Sequence, residues 1–172
     1  MDHAFYRIWL VYMKPQLPAL DTHEGPLEFL IGVICNQAIR AEIAWRAASG
    51  LRDRLGHIDV WRLAIMDETD LARVIGQRVA LHPFARTMGR NIVGACRLLC
   101  DRYDGRARAL WEDQPDATDL VDRFMALPGI GKHKAEIALF LLVHEYGVAV
   151  GENRPLDTAL SHCARLGEFF GT

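Results

Sequence analysis

Apolar residues recur along most of the chain at spacings of three and four, the mark of helices that each bury one face. The pattern predicts a short helix over 5–13, ended by Pro15 and Pro18. Pro26 sits just inside the start of a second, whose apolar face is Phe29, Leu30, Val33 and Ile34. A third spans about 40–55, with Ile43, Ala44, Ala47 and Leu51 turned inward. A short piece beginning at Asp59 or Val60 carries Trp61, Leu63 and Ile65, and Glu68-Thr69-Asp70 opens another through Leu71, Val74 and Ile75. Residues 86–103 form a long helix with Met88, Ile92, Val93, Cys96, Leu98 and Leu99. Helices over 119–127 and 132–143 follow, and a last one runs from Asp157 to about 169. Residues 103–118 and 147–155 read as loops. No segment alternates at strand period, so the fold class is all-α.

One junction between these helices carries chemistry. Residues 127–135 read Leu-Pro-Gly-Ile-Gly-Lys-His-Lys-Ala. Pro128 favours an extended Leu127 and stops the helix before it. Gly129 and Gly131 supply backbone freedom and leave no side chain in the way. Lys132 then opens the next helix. Amides at a helix start lack acceptors and carry partial positive charge, so a phosphate fits there. Lys132 and Lys134 add full charges. A bare Pro-Gly-x-Gly is more often an ordinary helical hairpin; the amphipathic flanks and the lysines favour phosphate binding.

Composition bounds the rest. The chain has 172 residues, 51% hydrophobic and 24% charged, with a net charge of −2. That is one domain, or two small lobes sharing a core. No global basic field announces a polyanion partner. Arg40, Arg46, Arg52 and Arg54 cluster, as do Arg86, Arg90, Arg97, Arg102, Arg106 and Arg108. Either cluster alone is better read as a solvated helix face. Cys35, Cys96 and Cys100 fall in apolar helical patterns and behave as small hydrophobes; Cys163 is the fourth cysteine. No Cys-x-x-Cys and no zinc-like spacing occurs, so no metal site is expected and a reduced cytoplasmic setting is. The longest apolar stretches, 29–35 and 135–143, are too short to span a bilayer, and no signal-like segment opens the chain.

These motifs resemble the helix-hairpin-helix (HhH-GPD) DNA glycosylases, the superfamily that includes endonuclease III. Four pieces carry the resemblance. Val33-Ile34-Cys35-Asn36-Gln37-Ala38 is similar to the family's apolar helix ending in a Gln at the DNA face. Arg90-Asn91-Ile92-Val93 through Asp104-Gly105 is similar to the helix before the hairpin. Residues 127–135 match the hairpin, and Leu156-Asp157-Thr158 the segment holding the essential aspartate. Order and spacing agree from about 26 to 166.

The resemblance implies two helical lobes with a DNA cleft between them. A central barrel would span about 22–127, and 1–21 with 128–172 would make the second lobe. It implies that Gly129, Ile130, Gly131, Lys132, His133 and Lys134 hold a DNA phosphate. Gln37 would occupy the gap left by a flipped nucleotide or touch the opposite strand. The segment 77–84 corresponds to the second intercalating loop, with Leu81, His82 and Phe84 as candidates. Trp45 and Trp61 could stack on a base, though their helical spacing favours the core. In relatives the hairpin carbonyls often bind a potassium or sodium ion, and no other cofactor is required.

Departures from the family pattern narrow the chemistry. Relatives that also cleave the strand carry a lysine where this chain has His133. Lys132 and Lys134 are each turned about 100° around the helix from that point. Imidazole is not expected to form a lysine's Schiff base. A monofunctional enzyme follows. The four-cysteine loop of many relatives is missing, so no iron–sulfur cluster is expected. Gly32 stands where the adenine-removing branch has a catalytic glutamate, which disfavours that substrate. Ala159 replaces a common His.

Breaking an N-glycosidic bond builds positive charge on the sugar. A nearby carboxylate stabilises that charge and can orient or deprotonate water. Asp157 is the catalytic candidate, although Asp at a helix start is by itself more often a cap. The expected function is a monofunctional glycosylase of base excision repair, acting on double-stranded DNA with a damaged or mismatched base. A non-catalytic hairpin module that only grips DNA is the alternative. A helical interaction domain with no nucleic-acid role is a third reading, but it gives no reason for Gly129, Gly131 and the lysines.

Overall fold

Caps and apolar registers set the helix boundaries. The structure is a computed structural model, and it describes residues 17–151. The predicted helix over 5–13 and the helix beginning at Asp157 lie outside the described residues.

Helix α1, Gly25–Cys35, starts with Pro26 in its first turn, where a missing N–H costs nothing. Every residue of α1 except Glu28 is buried. A helix apolar on all sides belongs at the centre of a bundle, and α1 packs against neighbours around its circumference. Helix α2, Ala41–Leu55, ends at a left-handed Gly56. Asp59 caps the short α3, Val60–Ile65, by accepting from the Arg62 amide at 2.8 Å. Asp67 caps α4, Glu68–Ile75, by accepting from the Thr69 and Asp70 amides. The long α5 spans Ala85–Tyr103, and α6, Ala117–Met125, is capped by Asp116. Helix α7 covers Lys132–His144.

The described residues are helical and contain no named strand; Asp116 and Gly151 form a single bridge. The all-α expectation therefore holds. Helix α1 contacts α2, α5, α7 and a short 3-10 turn at Ala107–Leu110. That turn lies within the span read as a loop. Its burial of Leu110 and Trp111 gives the segment a packing role that polar neighbours hide in the sequence. Phe29 is the aromatic hub, stacked on Trp45 at 5.6 Å and edge-on to Trp111 and Tyr146. On the other side α5 packs on α3 and α4. Gly89 permits this approach, because a Cβ there would stand 2.7 Å from the Glu68 carbonyl oxygen.

Some apolar residues do not face inward as their spacing predicts. Ile43, Ile65 and Met125 are exposed, and Trp61 is 54% exposed. Trp61 lies over Gly105, just past the end of α5. Trp45 is core, as its spacing favours. It also explains Gly32: a Cβ at that position would meet the Trp45 ring at 2.2 Å, so no glutamate fits there in this packing.

Candidate nucleic-acid interface

The turn between α6 and α7 is built from opposite demands on its two glycines. Gly129 has φ +82, a left-handed conformation, and a Cβ there would fall 2.2 Å from Asn91 Nδ2 and 2.7 Å from Asn91 Cγ. Glycine is required for both reasons. Gly131 has φ −91 and ψ 175, which any residue adopts, and no atom lies within 4 Å of its Cβ position. Backbone freedom therefore explains Gly129 and not Gly131. What Gly131 provides is open space on the outer surface of the turn.

Ile130 points the other way. Its side chain is 4% exposed, and its amide donates to the Leu127 carbonyl at 3.2 Å. It anchors the turn, and that N–H is already committed. The amides of Gly131 and Lys132 have no acceptor among the described residues. They form the start of α7, which no side chain caps. Lys132 is exposed and stands 4.0 Å from Glu136. His133 is also exposed. The candidate anion site thus comprises the Gly131 and Lys132 amides, the Lys132 ammonium and the exposed edge of His133.

Lys134 does something the sequence reading does not foresee. Its Nζ donates to Ile34 O at 2.7 Å, to Gly129 O at 2.9 Å and toward Gln37 Oε1 at 3.4 Å. All three ammonium hydrogens have acceptors within the protein. The sequence assigns Lys134 to a phosphate; the structure turns it inward as a strap between the hairpin and the end of α1. Burial pulls its pKa below the ordinary lysine value. The resemblance also implies a monovalent cation at the hairpin carbonyls. Here the Gly129 carbonyl already faces a positive group of the chain's own, and Leu127 O accepts an amide.

The strap also reaches Gln37, placing it beside the turn. Gln37 is exposed where α1 has ended. From the other flank His82 secures the same strand of backbone. Its Nδ1 accepts from the Phe84 amide at 3.0 Å, which leaves Nε2 as the donor to Cys35 O at 3.1 Å. The imidazole is 1% exposed and neutral in this geometry, and burial lowers its pKa. His82 is therefore a staple rather than an intercalating residue. Leu81 packs against Gly50. Of the three candidates on this loop only Phe84 is well exposed, joined by Val79, which the sequence reading misses. Arg54 shapes the loop, donating to the carbonyls of Val74, Ile75, Gln77 and Val79. A polar residue followed by carbonyl-rich turns gives no sequence signal for such a clasp.

Three chain segments thus meet: the Gln37 end of α1, the loop 77–84 and the hairpin turn. Asp157 lies outside the described residues. The Cys35 thiol beneath is pushed up to about 12 by burial and stays protonated at neutral pH. Replacing Lys134 with Met should strip donors from the Ile34 and Gly129 carbonyls, at a cost of about 1–3 kcal/mol. A urea unfolding curve reads this as a lower midpoint with an unchanged slope; an unshifted midpoint would show that the strap adds no stability.

Known proteins bear on this geometry. No family model matches the chain. It is 24% identical over 149 residues to endonuclease III of Synechocystis sp. (strain ATCC 27184 / PCC 6803 / Kazusa), covering 87% of this chain and 57% of that protein. The chain spans little more than half the length of this curated relative. Among solved structures, a non-covalent endonuclease III–DNA complex aligns with a TM-score of 0.56 at 20% identity, covering 99% of this chain and 78% of the other. A trapped endonuclease III–DNA covalent intermediate, an estranged-adenine complex, aligns with a TM-score of 0.53 at 22% identity, covering 86% and 62%. The chain is thus similar to endonuclease III in sequence and shares the all-α fold of these solved structures. Among the described residues no helix is long and apolar enough to cross a membrane.

Proposed function

We propose that the chain is a DNA glycosylase of base excision repair that hydrolyses the N-glycosidic bond of a damaged or mispaired base and leaves an abasic site. One observation carries this reading. The hairpin presents unpaired amides and an open glycine at the start of α7, and the Lys134 strap seats Gln37 beside them. A DNA phosphate settles on the Gly131 and Lys132 amides, with Lys132 adding charge. Gln37 fills the space of the extruded nucleotide, an exchange that offsets a flipping cost of a few kcal/mol. Asp157 stabilises the positive charge that grows on the sugar and directs water to it. No cofactor or iron–sulfur cluster is invoked.

Hydrolysis without strand cleavage follows from the amines at hand. His133 occupies the position of the family's attacking lysine. Lys134 has all three ammonium hydrogens committed to acceptors, and a nucleophilic lone pair becomes available only when it loses a proton and gives up one of those bonds. The alternative, a non-catalytic module that grips DNA, shares the hairpin and lacks only the use of Asp157.

Duplexes each carrying one lesion, covering alkylated purines, uracil or thymine mismatches and oxidised bases, test the proposal. Incubation followed by alkali should cut one or more of them at the lesion. Borohydride added during turnover should trap no covalent protein–DNA adduct. An adduct would defeat the monofunctional assignment. Salt-dependent duplex binding with no alkali-labile product across the panel would favour the module.

A further inference from the structure

The helix beneath the hairpin carries more charge than the turn itself uses. Helix α5 is the floor of the turn: Pro128 Cγ would lie 3.0 Å from a Cβ on Gly94, and Gly129 packs on Asn91. Arg90 adjoins Asn91 in sequence and lies one turn before Gly94. Taking about 100° per residue, Arg86, Arg90 and Arg97 form one stripe, and Arg90 sits about 40° from Gly94. That stripe borders the hairpin contact. Its members differ in their partners. Arg97 donates to Glu68 at 3.2 Å and to the Ala64 carbonyl at 2.9 Å, so its charge is neutralised. Arg86 and Arg90 are exposed, and no acid pairs with either among the described residues. With Thr69 and Thr87 they line an open groove of about 430 Å³. Glu68 is the groove's acid, and it is the partner of Arg97.

We propose that Arg86 and Arg90 form a second phosphate-contacting site that receives the nucleic-acid backbone beside the hairpin. The inference rests on the reading that duplex DNA is the partner. Two extended cations on consecutive turns, about 6 Å apart along the axis, suit a track of phosphates better than a single small anion. Guanidinium groups also present the planar fork that phosphate oxygens accept. Such contacts position the duplex and read no bases. They would widen the footprint beyond what the amides of one turn supply.

Salt titration of duplex binding tests it. For two phosphates lost, the slope of log K against log salt should shrink by about 1.8. The full chain carrying Arg86→Gln with Arg90→Gln should show that change with intact duplexes of any sequence. Arg86→Lys with Arg90→Lys should retain most of the wild-type slope. Arg102→Gln with Arg108→Gln removes the same charge from exposed positions in the last turn of α5 and in the 3-10 turn that follows it, and should leave the slope nearly unaltered. Circular dichroism should report folded protein in each case, since all four side chains are exposed. An unchanged slope in the first pair, or an equal loss in the distal pair, overturns the proposal while leaving the glycosylase reading in place. Wild-type protein with no salt-dependent duplex binding sinks that reading itself, and this site with it.

Discussion

Gly129→Ala is expected to lower unfolding stability by about 2–5 kcal/mol. Two costs combine. A left-handed backbone at φ +82 penalises any L side chain by about 1–2 kcal/mol. The new methyl must also share space with Asn91, whose Nδ2, Cγ and Cβ would stand 2.2, 2.7 and 3.0 Å away. Turning the Asn91 amide aside can relieve the first two contacts and not the third, because Cβ is fixed to the backbone of α5. Overpacking of this kind costs about 1–3 kcal/mol. Urea unfolding followed by circular dichroism measures the total. Gly131→Ala supplies the contrast. Its φ of −91 suits alanine, and the methyl meets nothing in the protein. Stability should change by less than about 1 kcal/mol, the cost of a poorer N-cap. Duplex binding should nevertheless weaken, because the methyl stands where a phosphate would approach. A Gly129→Ala protein as stable as wild type would mean the turn is not seated on Asn91.

Asp157→Asn is expected to reduce base excision by at least about 10²–10³-fold while leaving duplex affinity nearly intact. The asparagine keeps shape and capping ability and removes the charge. An amide cannot neutralise a sugar carrying positive character, nor take a proton from water. Single-turnover rates on a lesion the wild type accepts provide the measurement, with binding measured on the same duplex. Comparable rates for the two proteins would remove Asp157 from the chemistry. Loss of binding together with rate would instead place the Asp157 charge in DNA binding or folding and not in the chemical step alone.

The two predictions differ in where their grounds can be seen. Asp157 is named by residue type, by its spacing from the hairpin and by resemblance. Gly129 is named by the motif, but its severity comes from Asn91, 38 positions earlier, and nothing local in the sequence pairs them. The lysines make the same point. Lys132 and Lys134 read alike as basic residues at a helix start. Positions two apart on a helix diverge by about 200°, so one ammonium reaches solvent while the other reaches the carbonyls of Ile34 and Gly129. His82 and the arginines follow suit. Arg52 pairs with Glu24 and Glu28, and Arg54 clasps four carbonyls, so the first arginine cluster is largely consumed within the fold.

Apolar spacing, caps and breakers determine the helices of this protein, its all-α class and the position of its hairpin, because those features depend on neighbours within one or two turns. Which cations stay available, which glycine is constrained by packing, and that Gln37 stands beside the turn are decided only when α1, α5 and α7 come together. Hydrogen bonds to distant carbonyls and contacts between side chains far apart in the chain leave no periodic trace in it.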